Sequence, residues 1–151
     1  GGAGLAAIHS HKDHNFRWRV EDKRVHIIRN PRNVVISWVR YQKLPRNNQT
    51  IIGSMDYIIK RVNGHFGWLK EETVLTVRFE ELLTDPSVIK KIGIHIGMAP
   101  VDNHFESLWG NTLTFTDDLT NWKDFWNDEV NAAWKAKGGI EIENKLNYLN
   151  N

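Results

Sequence analysis

Val25-His26-Ile27-Ile28-Arg29-Asn30-Pro31-Arg32-Asn33-Val34-Val35-Ile36-Ser37 changes character at its midpoint. Val25 to Ile28 is a short, β-branched run of the kind that forms a buried strand. Asn30 suits an N-cap, and Pro31 suits the first helical position, where its missing N–H costs nothing. The stretch therefore predicts a strand, a sharp turn, and a helix running from Pro31 to about Lys43. The turn holds Arg29 beside the free N–H groups of a helix start, which together favour an anion, phosphate above all.

The predicted helix is two-sided. Val34, Val35, Trp38 and Val39 make an apolar face, with Asn33, Ser37 and Arg40 opposite. Arg29, Ser37 and Arg40 are thus candidates to converge on one oxyanion, the arginines through planar forks of donors and the serine through its hydroxyl. Spacing alone leaves open a plainer alternative, a βα unit whose arginine pairs with a nearby carboxylate.

Charge is uneven along the chain. Residues 1–46 hold ten Lys/Arg against three Asp/Glu, and the remainder holds ten against fifteen. A basic segment around an anion site focuses an anionic ligand. Nucleic acid is disfavoured, because no recognised DNA- or RNA-binding motif is present and the basic residues fall on a βα unit. The 151 residues suit a single domain, 1–151, and the absence of cysteine excludes disulfides and thiol chemistry within it. No apolar run is long enough for a membrane span, and Gly1 to Ile8 does not read as a signal peptide, so a cytoplasmic location is the default expectation.

Further strands are expected at Leu5–His9 and Val74–Arg78. Ile51, Ile52, Met55, Ile58, Ile59 and Val62 repeat at helical spacing, and Asn63-Gly64 reads as the end of that helix. Asp85-Pro86 opens another helix, closed by Gly97. Asn103 to Asp118 looks irregular, Trp122 to Ala133 suggests a late helix, and Asn144 to Asn151 reads as a frayed polar tail. Strands alternating with helices predict an α/β fold with a parallel sheet flanked by helices, whose ligands bind at the carboxyl ends of the strands. His11, Arg29 and Phe79 all fall at or just after such ends.

Arg29 to Ser37 resembles the 3′-phosphate-binding motif of sulfotransferases that use 3′-phosphoadenosine 5′-phosphosulfate (PAPS). Thr73 to Leu83 followed by Asp85-Pro86 is similar to the family's strand, aromatic-Glu-Asp-Leu turn and helix, with Phe79 where tyrosine is usual. Ile8-His9-Ser10-His11 looks like the strand end that carries its catalytic histidine, and Thr120 to Phe125 resembles its Gly-Asp-Trp-Lys segment. The resemblance implies a three-layer architecture akin to P-loop NTPases. It implies sulfuryl transfer from PAPS, as co-substrate, to a hydroxyl or amine. His11 would be the base, Arg29 and Ser37 the 3′-phosphate ligands, and Phe79 the adenine contact. No metal is implied. The acceptor would be a small molecule or glycan.

Two family features have no counterpart here. Gly1-Gly2-Ala3-Gly4 lacks the lysine and hydroxyls of the Pro-Lys-Ser-Gly-Thr-Thr loop that cradles the 5′-phosphosulfate, and Phe115-Thr116-Asp117 replaces an Arg-Lys-Gly. The chain therefore reads as a sulfotransferase-like domain apparently lacking its first strand and loop. A partner supplying that loop, a homodimer, and a non-catalytic nucleotide- or anion-binding remnant stay open as alternatives. A phosphoryl-transfer enzyme is disfavoured by the absence of a Gly-rich Lys-Ser/Thr loop.

Overall fold

The computed structural model describes residues 23–97 and 121–148. The strand expected at Leu5–His9, the catalytic candidate His11, and the irregular stretch Asn103–Asp118 lie outside them.

Two strands, β1 (Arg24–Ile28) and β2 (Val74–Arg78), pair in parallel, with Arg24 opposite Val74 and Ile28 opposite Arg78. Parallel neighbours need a long crossover. Here it consists of α1 (Pro31–Tyr41), α2 (Asn48–His65) and a 3-10 segment, Phe66–Lys70. After β2 come α3 (Phe79–Thr84) and α4 (Pro86–Ile96), then a second 3-10 segment (Asn121–Phe125), α5 (Asp128–Ala136) and α6 (Gly139–Lys145). The described residues are thus α/β with a parallel sheet, as expected. Among them no helix is long and apolar enough to cross a membrane.

Local chemistry accounts for most element ends. The side chains of Asn30, Asn47, Asp85 and Asn127 each accept a backbone N–H in the first turn of α1, α2, α4 and α5. Gly97 ends α4 at φ 79°, a left-handed conformation glycine adopts freely. Three expectations about where elements end are corrected. Asn63-Gly64 does not stop α2, which runs on to His65 and then tightens into the 3-10 segment. The single late helix is instead a 3-10 segment followed by two helices, because Gly138, at φ 93°, turns the chain between α5 and α6. The tail is not frayed from Asn144 onward: Leu146 and Tyr148 are buried.

The core has two parts. The larger joins Val35, Ile36 and Val39 of α1 to Ile51, Met55, Ile58 and Ile59 of α2, and to Trp122, Val130, Trp134 and Ile142. The smaller, Val77, Leu82 and Val88, packs β2 against α3 and α4. Asn33, expected on the polar face of α1, is fully buried, and its side-chain oxygen accepts the Trp122 N–H at 3.3 Å. That bond answers the desolvation of the amide, so a polar residue can sit in the core-facing stripe.

Trp134 fixes the turn into α6. A Cβ placed on Gly139 would stand 2.0 Å from the Trp134 ring, so the backbone approaches the indole more closely than any other residue allows. Gly139→Ala is expected to destabilise the fold by about 1–3 kcal/mol through overpacking, measured by urea unfolding.

On the sheet, the His26 ring stacks on His65 at 5.9 Å, and the His26 Nδ1 is buried without a partner. Burial first, and then the neighbouring His65, lower the His26 pKa from 6.5 to about 4. Between those values the unfolded chain takes up a proton that the folded chain refuses. The contribution of His26 is therefore full above pH 6.5, is lost as pH falls from 6.5 to about 4, and falls no further below that. Unfolding free energies measured at pH 7.5 and pH ~4.5 should differ less in His26→Gln than in the wild type.

Candidate functional site

The parallel register sets the site. Because Ile28 pairs with Arg78, the residues that follow, Arg29 and Phe79, leave the sheet side by side at the carboxyl end of the strands. The Arg29 guanidinium lies over the Phe79 ring, 4.6 Å from its centre. A cation over an aromatic face is held in place without any of its N–H donors being used. Arg29 Nε and Nη2 are buried and have no hydrogen-bond partner. Burial first of all lowers the Arg29 pKa, while the nearby charge of Glu80 and then Tyr148 act in the opposite direction. A guanidinium nonetheless stays protonated in proteins, so a cation with free donors is held at the turn.

Among the described residues Glu80 is the acid whose charge Arg29 feels, but both of its oxygens are engaged elsewhere. Oε1 accepts the Asn30 backbone N–H at 2.8 Å, and Oε2 accepts the Tyr148 hydroxyl at 2.8 Å. Burial, followed by the charge and hydrogen bond of Glu80, pushes the Tyr148 hydroxyl well above its ordinary pKa, so it remains a donor. Arg78 anchors the same tail: its Nη2 donates to the Leu146 and Asn147 carbonyls at 3.1 and 3.3 Å, and its guanidinium covers the Tyr148 ring at 4.5 Å.

The other side of the turn is held by a second acid. Glu143 of α6, 3% exposed, accepts from Arg32 Nε at 2.5 Å, from Arg32 Nη2 at 3.3 Å and from Trp134 Nε1 at 2.5 Å. Arg32 also lies over the rings of Trp122 and Trp126, at 4.7 and 5.4 Å. Three sequence blocks singled out above therefore meet: the turn at 29–33, the aromatic-acid pair at 79–80, and the tryptophan segment at 122–126.

Of the predicted site residues, Arg29 and Phe79 are brought together. Ser37 sits in the second turn of α1, partly buried. Arg40 is exposed in the last turn of that helix and is not part of the cluster around the turn. Glu80, Tyr148 and Glu143 were not singled out as site residues from sequence. Glu80 lies inside the block that resembles the family's aromatic-Glu-Asp-Leu turn, where nothing marks it apart from the turn itself. Nothing in the periodicity around Tyr148 or Glu143 distinguishes them from a polar, solvated tail. Among the described residues, no cluster of His, Asp and Glu has the makings of a metal site.

No family model, no curated protein and no solved structure matches the chain.

Glu143→Gln would keep the shape of the Arg32 contact but leave a buried cation without its counter-charge. Breaking a buried pair in this way costs roughly 3 kcal/mol. A denaturant titration of the variant should show that loss without a change in slope, since the same surface is exposed on unfolding.

Proposed function

We propose that the chain carries the nucleotide-binding part of a PAPS-dependent sulfotransferase, with the β1–α1 turn as its 3′-phosphate site. The observation that carries this reading is Arg29: a half-buried guanidinium whose buried Nε and Nη2 donors are unused, at the carboxyl ends of parallel strands, beside a proline-started helix. Donors left without partners at such a position are matched by a multivalent oxyanion, and phosphate meets them with paired charge-assisted bonds. Ser37 supplies a hydroxyl for the same phosphate, and Phe79 is the adenine contact. The fully extended reading, a three-layer sulfotransferase fold, belongs to the same proposal.

In the complete reaction His11 takes the proton of an acceptor hydroxyl or amine. The acceptor atom forms its bond to sulfur as the bond from sulfur to the 5′-phosphate oxygen breaks, releasing 3′-phosphoadenosine 5′-phosphate. A histidine titrating near neutrality suits that proton transfer. The turn at Arg29 contributes by fixing the nucleotide end of the donor, so that the sulfuryl group is presented in line.

Calorimetric titration with 3′-phosphoadenosine 5′-phosphate tests the reading. The wild type should bind saturably, with Arg29→Ala weakening binding by about tenfold or more and Ser37→Ala by less, as expected for a charged against a neutral donor. His11→Ala should leave that affinity intact while removing sulfuryl transfer to acceptors. A folded wild type that binds no nucleotide would overturn the proposal, and binding without transfer to any acceptor would reduce it to a nucleotide-binding module.

A further inference from the structure

Arg29 and Glu80 are close enough to interact electrostatically, yet no hydrogen bond joins them. In a partly buried site a guanidinium and a carboxylate gain strongly from a direct, two-pronged contact. Something must hold the carboxylate away. Two donors do so: the Asn30 N–H on Oε1 and the Tyr148 hydroxyl on Oε2, both at 2.8 Å. The first is backbone and belongs to the same turn as Arg29. The second arrives from the far end of the described chain, held there by Arg78 through two carbonyls and the tyrosine ring.

We infer that Tyr148 is a positioning residue for the anion site: its hydroxyl engages Glu80 and so keeps Arg29 uncommitted for an incoming anion. The inference rests on the anion-binding reading of Arg29, and it adds a residue that acts through Glu80. Without the hydroxyl, Oε2 loses a donor inside a partly buried site. The unused Nε–H and Nη2–H groups of Arg29 are then the replacement donors at hand, and Glu80 becomes an internal competitor for the cation. An anion binding afterwards has to displace a carboxylate first. The tail from Leu146 to Tyr148 thereby couples its own docking to the affinity of the site at Arg29.

The test uses Tyr148→Phe, which keeps the ring against Arg78, and the double variant Tyr148→Phe/Glu80→Gln, in which the competitor is neutral. Inorganic phosphate and 3′-phosphoadenosine 5′-phosphate are titrated into each by calorimetry, and the Arg29 Nε–H resonance is followed by NMR without ligand. Tyr148→Phe should weaken both anions about tenfold, the size of one charge-assisted bond diverted from the ligand. Its Arg29 Nε–H resonance should move to the position of a carboxylate-bound guanidinium. The double variant should recover wild-type affinity or exceed it, which a loss of fold would not allow. Unchanged anion affinity in Tyr148→Phe, or a double variant no better than the single, would overturn the inference while leaving the nucleotide reading in place. Phosphate binding with the expected pattern but no nucleotide binding would overturn the nucleotide reading and leave Tyr148 in its role. A wild type that binds neither anion would overturn both.

Discussion

The start of an α-helix presents backbone N–H groups that the helix itself cannot satisfy, and burying such a start forces the rest of the chain to answer them. The start of α1 is buried: Asn30 and Pro31 are largely withdrawn from solvent. Pro31 removes one donor by having none, and the Asn30 side chain accepts the Arg32 N–H at 3.0 Å. The Asn30 N–H itself is met by Glu80, which lies just past β2. Arg32, drawn into the same turn, is met by Glu143 from α6. Acids from two distant segments, Glu80 of α3 and Glu143 of α6, therefore converge on one turn.

This arrangement also explains why a cation at the turn is left with unused donors. The acids that come near are already committed, one to a backbone N–H and a tyrosine, the other to Arg32 and a tryptophan. Arg29 is retained instead by the face of Phe79, an attraction that does not consume its N–H groups. Leaving buried donors without partners costs stability, and sites that tolerate that cost are commonly the ones that bind. The turn is thus mechanically over-determined and chemically open, the combination a pre-organised anion site requires.

Much of the framework was legible in the residues. The strand at Val25–Ile28, the Asn30 cap, the proline start and the strand at Val74–Arg78 follow from β-branched runs and turn chemistry, which act over a few residues and survive in any context. Asp85-Pro86 and Gly97 likewise bounded α4. Errors arose where a neighbour overrode local preference. Asn63-Gly64 has the composition of a helix stop, but α2 passes through it with Ile58 and Ile59 already locked in the core. Asn33 reads as solvent-facing until the Trp122 backbone supplies a buried donor for it. The stretch from Asn144 reads as polar because asparagines dominate it, although Tyr148 is buried through its bond to Glu80, and Glu143 just before it is buried on Arg32 and Trp134.

The sequence by itself determined the strand-turn-helix unit, the placement of Arg29 at its turn, and the recurrence of an aromatic followed by an acid after the second strand. These are contiguous features, and short-range backbone preferences are enough to specify them. Tertiary structure alone decided that Arg29 rests on Phe79, that Glu80 is turned toward Asn30 and Tyr148, and that Arg32 is tied to Glu143. Those outcomes depend on the parallel register and on docking of the tail. They depend too on which donors can reach which oxygens, a competition between residues far apart in the chain.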